Sequence, residues 1–361
     1  FEVRGTLETA SKFIDALRQG GGVSEVVNGG DRAGLRATFE FKPTEYLTLT
    51  PRVVYQTIDT NGFNREEVYN LYANPFMTVP VTFKPRQQFL LLPHEGLSDK
   101  LMLADFTGTI DLGGVDFTSV SSYTHRNILV SRDASALTGS VSVDLGFPTA
   151  GVLLPSNLRD TTHLKQFTEE MRLSSNGKGS FQWLIGGFYA DTDRYYTQRL
   201  PTPGYDAFTV STLGLTAAQM LAIANGYPAD SPYNSDLPYR IRQIAFFGEG
   251  TLDLNDKLSA TLGGRYYNFK EKRRFLSGGL FSNDDDRNDK TSSTGFTPRG
   301  ILSYKVDDNL RLDASASQGF RLGGVNDPLN LGLCTPADIA IFGGFQSYTD
   351  ETSWDYEAGF K

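Results

Sequence analysis

The clearest regularity along the chain is alternation. Apolar and polar residues exchange places at every step over runs of about 10 to 13 residues, the period of a strand with one apolar face. From Leu258 to Tyr267, Leu258, Ala260, Leu262, Gly264 and Tyr266 share one face; Ser259, Thr261, Gly263, Arg265 and Tyr267 share the other. Around 309–320, Leu310, Leu312, Ala314, Ala316 and Phe320 oppose Arg311, Asp313, Ser315 and Ser317. The pattern predicts twelve strands, at 1–9, 33–42, 46–57, 101–112, 115–127, 164–175, 181–193, 240–254, 258–272, 294–306, 309–320 and 352–361. These exceed the usual strand length of ~5–6 residues. They fit a tilted strand that crosses a bilayer, which needs ~9–11 residues.

The connections alternate in length. Short ones at 42–45, 113–114, 176–180, 255–257 and 307–308 are rich in turn-forming Gly, Asn, Asp, Pro and Ser. Long ones run over 58–100, 128–163, 194–239, 273–293 and 321–351. Repeated long loops at one end and tight turns at the other are foreign to compact soluble domains but usual in outer-membrane barrels. Inside the loops, Thr216 to Gly226 reads as an N-capped helix closed by Gly, and Thr335-Pro336-Ala337-Asp338 as a second helix start. Arg65–Ala73 is a third expected helix.

Composition fits this picture. The chain has 361 residues, 37 Gly and 12% aromatic residues, with a mean hydropathy of −0.31. No stretch approaches the ~20 apolar residues of a membrane helix, but barrel strands average out as polar. A net charge of −8 argues against a nucleic-acid partner. One cysteine, Cys334, excludes an intrachain disulfide and a Cys-based zinc site. Phe41, Tyr46, Tyr266, Tyr267, Tyr304, Phe320, Trp354 and Tyr356 gather near strand ends, where aromatic rings suit the bilayer interface. The expected class is therefore all-β: an antiparallel transmembrane β-barrel section with long external loops.

Several strands carry more specific patterns. Gln243 to Tyr266, with Ala245-Phe246-Phe247-Gly248, Leu252, Leu254 and Gly264-Arg265-Tyr266, resembles a hairpin of TonB-dependent outer-membrane receptors. Thr297-Pro298-Arg299, Leu302-Ser303-Tyr304 and Ser317-Gln318-Gly319-Phe320-Arg321 resemble the next hairpin, and Tyr356-Glu357-Ala358-Gly359-Phe360-Lys361 the strand after it. Glu170-Met171-Arg172-Leu173 with Gly186-Gly187-Phe188-Tyr189 is similar to an earlier one. The resemblance covers most strands from 33 onward; the long loops match nothing specific. It implies an outer-membrane receptor with a 22-stranded barrel, an N-terminal plug domain, and uptake of a scarce ligand energised by the TonB complex. On that reading residues 1–361 are a partial barrel domain of about twelve strands, with no plug domain present. The implied cargo is a ferric siderophore. Cobalamin, haem and oligosaccharide receptors share the motifs, and a passive porin-like channel is the alternative of another class.

Candidate chemistry follows the strand phase. Arg36, Arg52, Arg172, Arg265, Arg299, Arg311 and Arg321 fall on the polar phase, because Arg facing lipid costs ~2–4 kcal/mol at midplane. They form either a cationic wall for an anionic ligand or a ladder of ion pairs with Glu40, Glu170, Glu249 and Asp313. Arg265, Arg299, Arg311 and Arg321 are the lumenal candidates for ligand contact. Tyr195, Tyr196, Tyr205, Phe208 and Tyr233, in or beside the 194–239 loop, are the loop candidates; packing between loops is the plainer role for them. The Asn283–Asp289 run is expected to be a solvated acidic loop, since it lacks the ligand spacing of a calcium loop. No motif points to an enzyme, a cofactor or a resident metal.

Overall fold

The computed structural model describes residues 2–10, 13–68, 83–283, 285–329, 334–343 and 347–361. Twelve strands form one antiparallel sheet in chain order. They are β1 (Glu2–Ala10), β2 (Gly30–Thr38), β3 (Leu47–Thr60), β4 (Gly96–Asp111), β5 (Val115–Asp133) and β6 (Asn157–Ser175). β7 (Phe181–Arg199), β8 (Asn234–Asp253), β9 (Leu258–Gly278), β10 (Asp286–Lys305), β11 (Arg311–Arg321) and β12 (Glu351–Phe360) complete it. Each strand pairs with its sequence neighbours, the simplest route for strands joined by tight turns. A short strand, Phe41–Thr44, folds against β3 at the first turn.

All twelve predicted segments form strands, except that the expected strand 33–42 ends at Thr38 and its last two residues belong to the short strand Phe41–Thr44. The other differences are largest at the long-loop end, where β5, β7 and β9 run six residues past the expected limits of 127, 193 and 272, and β6, β8 and β10 start six to eight residues early. The cause is visible in β9. Up to Tyr266 its apolar phase faces out, with Leu262 74% exposed. Beyond it the sign reverses: Lys270, Lys272 and Arg274 are exposed, while Phe269 and Phe275 are buried on the other face. A strand leaving a bilayer meets water outside and packed loops inside, so its alternation persists with inverted polarity. A search for one continuous apolar phase stops at the inversion.

The external connections are also more ordered than the sequence suggested. Five helices lie in them: α1 (Ser135–Asp144), α2 (Thr149–Val152), α3 (Tyr205–Leu213), α4 (Ala217–Ala224) and α5 (Pro336–Phe342). α4 and α5 are the two expected helices, each with a full capping box at Thr216–Gln219 and Thr335–Asp338. α1 to α3 have no side-chain N-cap bond, so the sequence carries no start signal for them. The third expected helix is not formed over 65–68, and 69–73 lie outside the described residues. Asp15–Leu17 pairs antiparallel with Val23–Ser24 and parallel with Gln87–Phe89, tying the first two external connections into one small sheet.

The loops have their own core. Ala134, Phe147, Val152, Leu200, Tyr205 and Phe281 are buried together, with Phe208 and Tyr233 packed against them. Three separate connections supply these residues, and their apolar area leaves water only when all three meet.

Candidate functional site

The polar face of the sheet carries the candidate chemistry. Period 2 places Arg52, Arg126, Arg132, Arg172, Arg265, Arg299 and Arg311 on it, and the structure gives most of them carboxylate partners. Arg52 lies 2.7 Å from Asp105, Arg172 3.2 Å from Glu170 and Arg311 3.0 Å from Asp313. Arg126 Nε donates to Asp99 at 2.9 Å, and Arg132 bonds Asp160. The ladder of ion pairs is thus the arrangement present, and the wall is far less cationic than its arginine count suggests.

Arg265 and Arg299 stand apart from this rule in different ways. The Arg265 guanidinium has no carboxylate partner among the described residues; it rests 5.0 Å from the Phe188 ring centre and 5.9 Å from that of Phe247. Arg299 pairs with Glu249 at 3.1 Å, two strands away, by passing over Gly263. Any side chain at 263 would press on that pair, because a Cβ there falls 3.1 Å from the Glu249 Cβ. The two arginines, Glu249, Phe247, Thr297 and Gln318 line one depression of about 390 Å³. Arg311 lies in a different depression near the short turns, and Arg321 is exposed and paired with Glu351 at 2.8 Å.

Nearer the long loops, the loop candidate Tyr196 belongs to a second cluster, whose arginines the sequence did not single out. Arg194 stacks on Tyr196 at 5.0 Å and on Tyr239 at 5.6 Å, and Arg273 on Tyr239 at 5.9 Å. Arg273 also reaches Asp327 at 2.8 Å, from a side chain only 2% exposed. The detectable signal was period 2 persisting beyond 193 and 272 and before 240, with Arg194 and Tyr196, Arg273 and Phe275, and Tyr239 on the inward phase.

The five loop aromatics divide. Tyr196 lies on the polar face. Tyr195, next to it, belongs to the opposite phase of β7 and is 43% exposed there, turned away from the depression. Tyr205 has no exposed surface; its ring lies 5.1 Å from Phe147 and 5.9 Å from Phe281, and its hydroxyl 3.1 Å from Ser142 Oγ. Burial pushes that hydroxyl up to about 12. A ring so enclosed has no face left for a ligand, which corrects its assignment as a contact. Phe208 and Tyr233 flank the same core. Two interface aromatics are corrected as well. Tyr267 is buried on the polar face and stacks on Phe320 with ring centres 4.0 Å apart. The acidic run is no free loop either: Asp286 and Asp289, both in β10, pair with Arg274 and Arg287.

An unbroken up-and-down sheet with an apolar outer face and an ion-paired inner one matches a known family along nearly all its length: residues 28–361 fit the description TonB dependent receptor-like, beta-barrel. The chain belongs to the TonB-dependent receptor β-barrel family. Solved structures agree on the fold. The ferric yersiniabactin uptake receptor FyuA from Yersinia pestis superposes with a TM-score of 0.68 at 12% identity, over 99% of this chain and 47% of FyuA. The siderophore receptor PiuA from Acinetobacter baumannii gives 0.63 at 12% identity, over 99% and 50%. The ferric-catecholate import receptor Fiu from E. coli K12 gives 0.57 at 12% identity, over 99% and 51%. The chain spans about half the length of these receptors. Barrels of the TonB-dependent receptor family are outer-membrane proteins, and they are receptors and transporters rather than enzymes. In such a barrel the apolar face meets lipid and the ion-paired face lines the lumen.

Proposed function

We propose that this TonB-dependent receptor barrel takes part in energised uptake of a ferric siderophore across the outer membrane. The lumenal depression built by Arg265, Arg299 and Glu249 carries the reading. A guanidinium held on aromatic rings without a carboxylate among the described residues is a cation left for an anionic ligand, in a wall whose other arginines are largely neutralised. Tyr196 and Arg194 offer an aromatic and cationic surface nearer the loops. The siderophore receptors of the same fold support the ligand class. Arg311 and Arg321, each paired and neither lining the depression, have supporting roles on this reading.

The test uses the full-length parent protein in its own cells. Iron starvation is expected to raise its level, and deleting its gene to reduce accumulation of radiolabelled iron from a panel of ferric siderophores. Blocking the TonB complex is expected to abolish the same uptake. Expression indifferent to iron, with uptake unchanged by deletion, refutes the cargo; uptake that persists without TonB points to a passive channel instead.

A further inference from the structure

Above the aromatic belt, the lipid-side face of β7 to β10 becomes a basic surface. The register places Asp193, Arg240, Lys272 and Lys290 in one row across four adjacent strands, and Asp191, Arg242, Lys270 and Ser292 in the row beneath. Arg274 and Asn288 stand above them as a further pair. Six cations thus face three carboxylates, Asp191, Asp193 and Asp286, on a chain whose net charge is −8. Asp191 is bound by Arg240 at 3.0 Å and Arg242 at 3.1 Å, and Asp286 by Arg274 at 2.9 Å. Lys270, Lys272 and Lys290 are exposed and make no ion pair among the described residues.

Arg240, Lys272 and Lys290 sit directly opposite one another. Side chains so placed have Cβ atoms ~4.5–5.5 Å apart, and like charges there destabilise a sheet. Proteins blunt exposed sheets with scattered charge, yet solubility alone gives no reason to align three cations in a single row. An anion spanning the row removes the repulsion. Asp193, Arg240, Lys272, Arg274, Asn288 and Lys290 line a depression of about 580 Å³ at this place.

Depth identifies the anion. On β9 and β10, Tyr266 and Phe296 are the last aromatics of this face, 49% and 61% exposed; on β7 the same face carries Tyr195, 43% exposed, at the level of Arg274. Lys270 is four residues further along β9, which is ~13 Å along the strand and ~10 Å in height at a tilt of ~40°. That height lies at the polar headgroups, above the hydrocarbon. We propose that this surface binds the phosphate groups of a lipid headgroup in the external leaflet, bridging the Arg240–Lys272–Lys290 row. The inference rests on the outer-membrane reading above.

Full-length protein, extracted in detergent and stripped of lipid, is incubated with lipid A, with dephosphorylated lipid A, or with inorganic phosphate, and bound species are read by native mass spectrometry. Lipid A is expected to bind, and to be released as salt rises. Dephosphorylated lipid A and free phosphate are expected to bind far more weakly, since one lacks the charge and the other the acyl chains. Each lysine near a charged lipid surface contributes a factor of about five, so changing Lys270, Lys272 and Lys290 to Gln is expected to weaken binding about a hundred-fold. Changing Lys178, Lys257 and Lys305 at the short turns removes the same charge and is expected to leave binding intact. Both variants are compared by circular dichroism and thermal midpoint; if the first fails to fold, the salt and dephosphorylation series on the unaltered protein decide. Equal binding of the dephosphorylated lipid, or equal losses in the two variants, overturns the patch alone. Release of the protein from membranes by carbonate without detergent overturns the outer-membrane reading, and the patch with it.

Discussion

Replacing Tyr205 with Ala is expected to open the external loops while leaving the wall intact. Tyr205 is wholly enclosed and touches residues of all three connections that build the loop core. Deleting a buried aromatic ring costs ~3–5 kcal/mol, from lost burial and the cavity left behind. Tyr205→Phe keeps the ring and both aromatic contacts and removes only the bond to Ser142, worth ~0.5–1.5 kcal/mol. The lower part of that range applies, because Ser142 Oγ also donates to the Thr138 carbonyl at 2.6 Å. The wall strands draw their stability from backbone ladders that Tyr205 does not join. Hydrogen exchange on the full-length protein in detergent separates these terms. In Tyr205→Ala, amides of 134–156, 200–233 and 279–283 should exchange ~10²–10³-fold faster, one decade for each ~1.4 kcal/mol. Amides in the bilayer part of β7 and β9 should keep their protection. Unchanged loop protection in Tyr205→Ala refutes the shared core, and so does a Tyr205→Phe effect of equal size.

Three further outcomes are expected. Because burial raises the Tyr205 hydroxyl to about 12, the folded loops prefer it protonated; that stability is complete below ~10, the free tyrosine value, and is lost as pH rises toward the folded value. Alkaline titration followed by loop exchange should show this loss, and Tyr205→Phe should lack it. At Asp350 burial acts upward, but hydrogen bonds from Tyr267 (2.6 Å), Gly323 N–H (2.7 Å) and Ser293 (2.8 Å) prevail and hold the carboxyl below its usual value. That contribution is present above the ordinary carboxylate range and lost as pH falls through the folded value. Exchange at the Gly323 amide should therefore quicken in acid, and Asp350→Asn should remove the pH dependence; identical profiles refute this role of Asp350. Spin labels at Leu262 and Leu312 should report lipid, and labels at Arg265 and Arg311 the lumen. The reverse pattern refutes the face assignment.

The wall was legible in sequence because a bilayer imposes a strict rule on it. Each residue from Leu258 to Tyr266 must suit either lipid or lumen, so period 2 is written without interruption. The rule lapses where the lipid ends. Past Tyr266 the outward residues are Lys270, Lys272 and Arg274 and the inward ones Phe269 and Phe275, which a single apolar phase reads as the end of the strand. The site suffered from the same inversion. Arg194, Tyr239 and Arg273 lie in stretches that sequence gave to loops, although they are strand residues on the lumenal phase. Helices α1 to α3 lacked a signal for another reason. Ser135 to Asp144 has weak helix formers and no side-chain cap, so its helix depends on packing from Leu200, Tyr205 and Phe281, contributed by distant parts of the chain.

The pairing of Arg299 with Glu249 makes the lumenal depression testable without confusing binding with folding. Both side chains remain partly exposed, at 53% and 35%, so the pair contributes no more than ~1 kcal/mol to stability. Glu249→Gln should then leave the thermal midpoint of the full-length receptor almost unchanged. Its electrostatic consequence is larger, because it frees the Arg299 guanidinium within the depression that holds Arg265. An anionic ferric chelate that meets both cations gains a charge-assisted contact, worth ~1.5–3 kcal/mol when well formed, and solvent in this open wall reduces that to about tenfold in affinity. Arg265→Gln removes a cation with no carboxylate to release, so the same chelate should bind more weakly by a similar factor. Opposite shifts in the two variants, measured by titration with the ferric chelate the receptor imports, place the ligand against this part of the wall. Equal weakening in both shows that Glu249 itself supports the ligand, and no change in either removes the depression from its path.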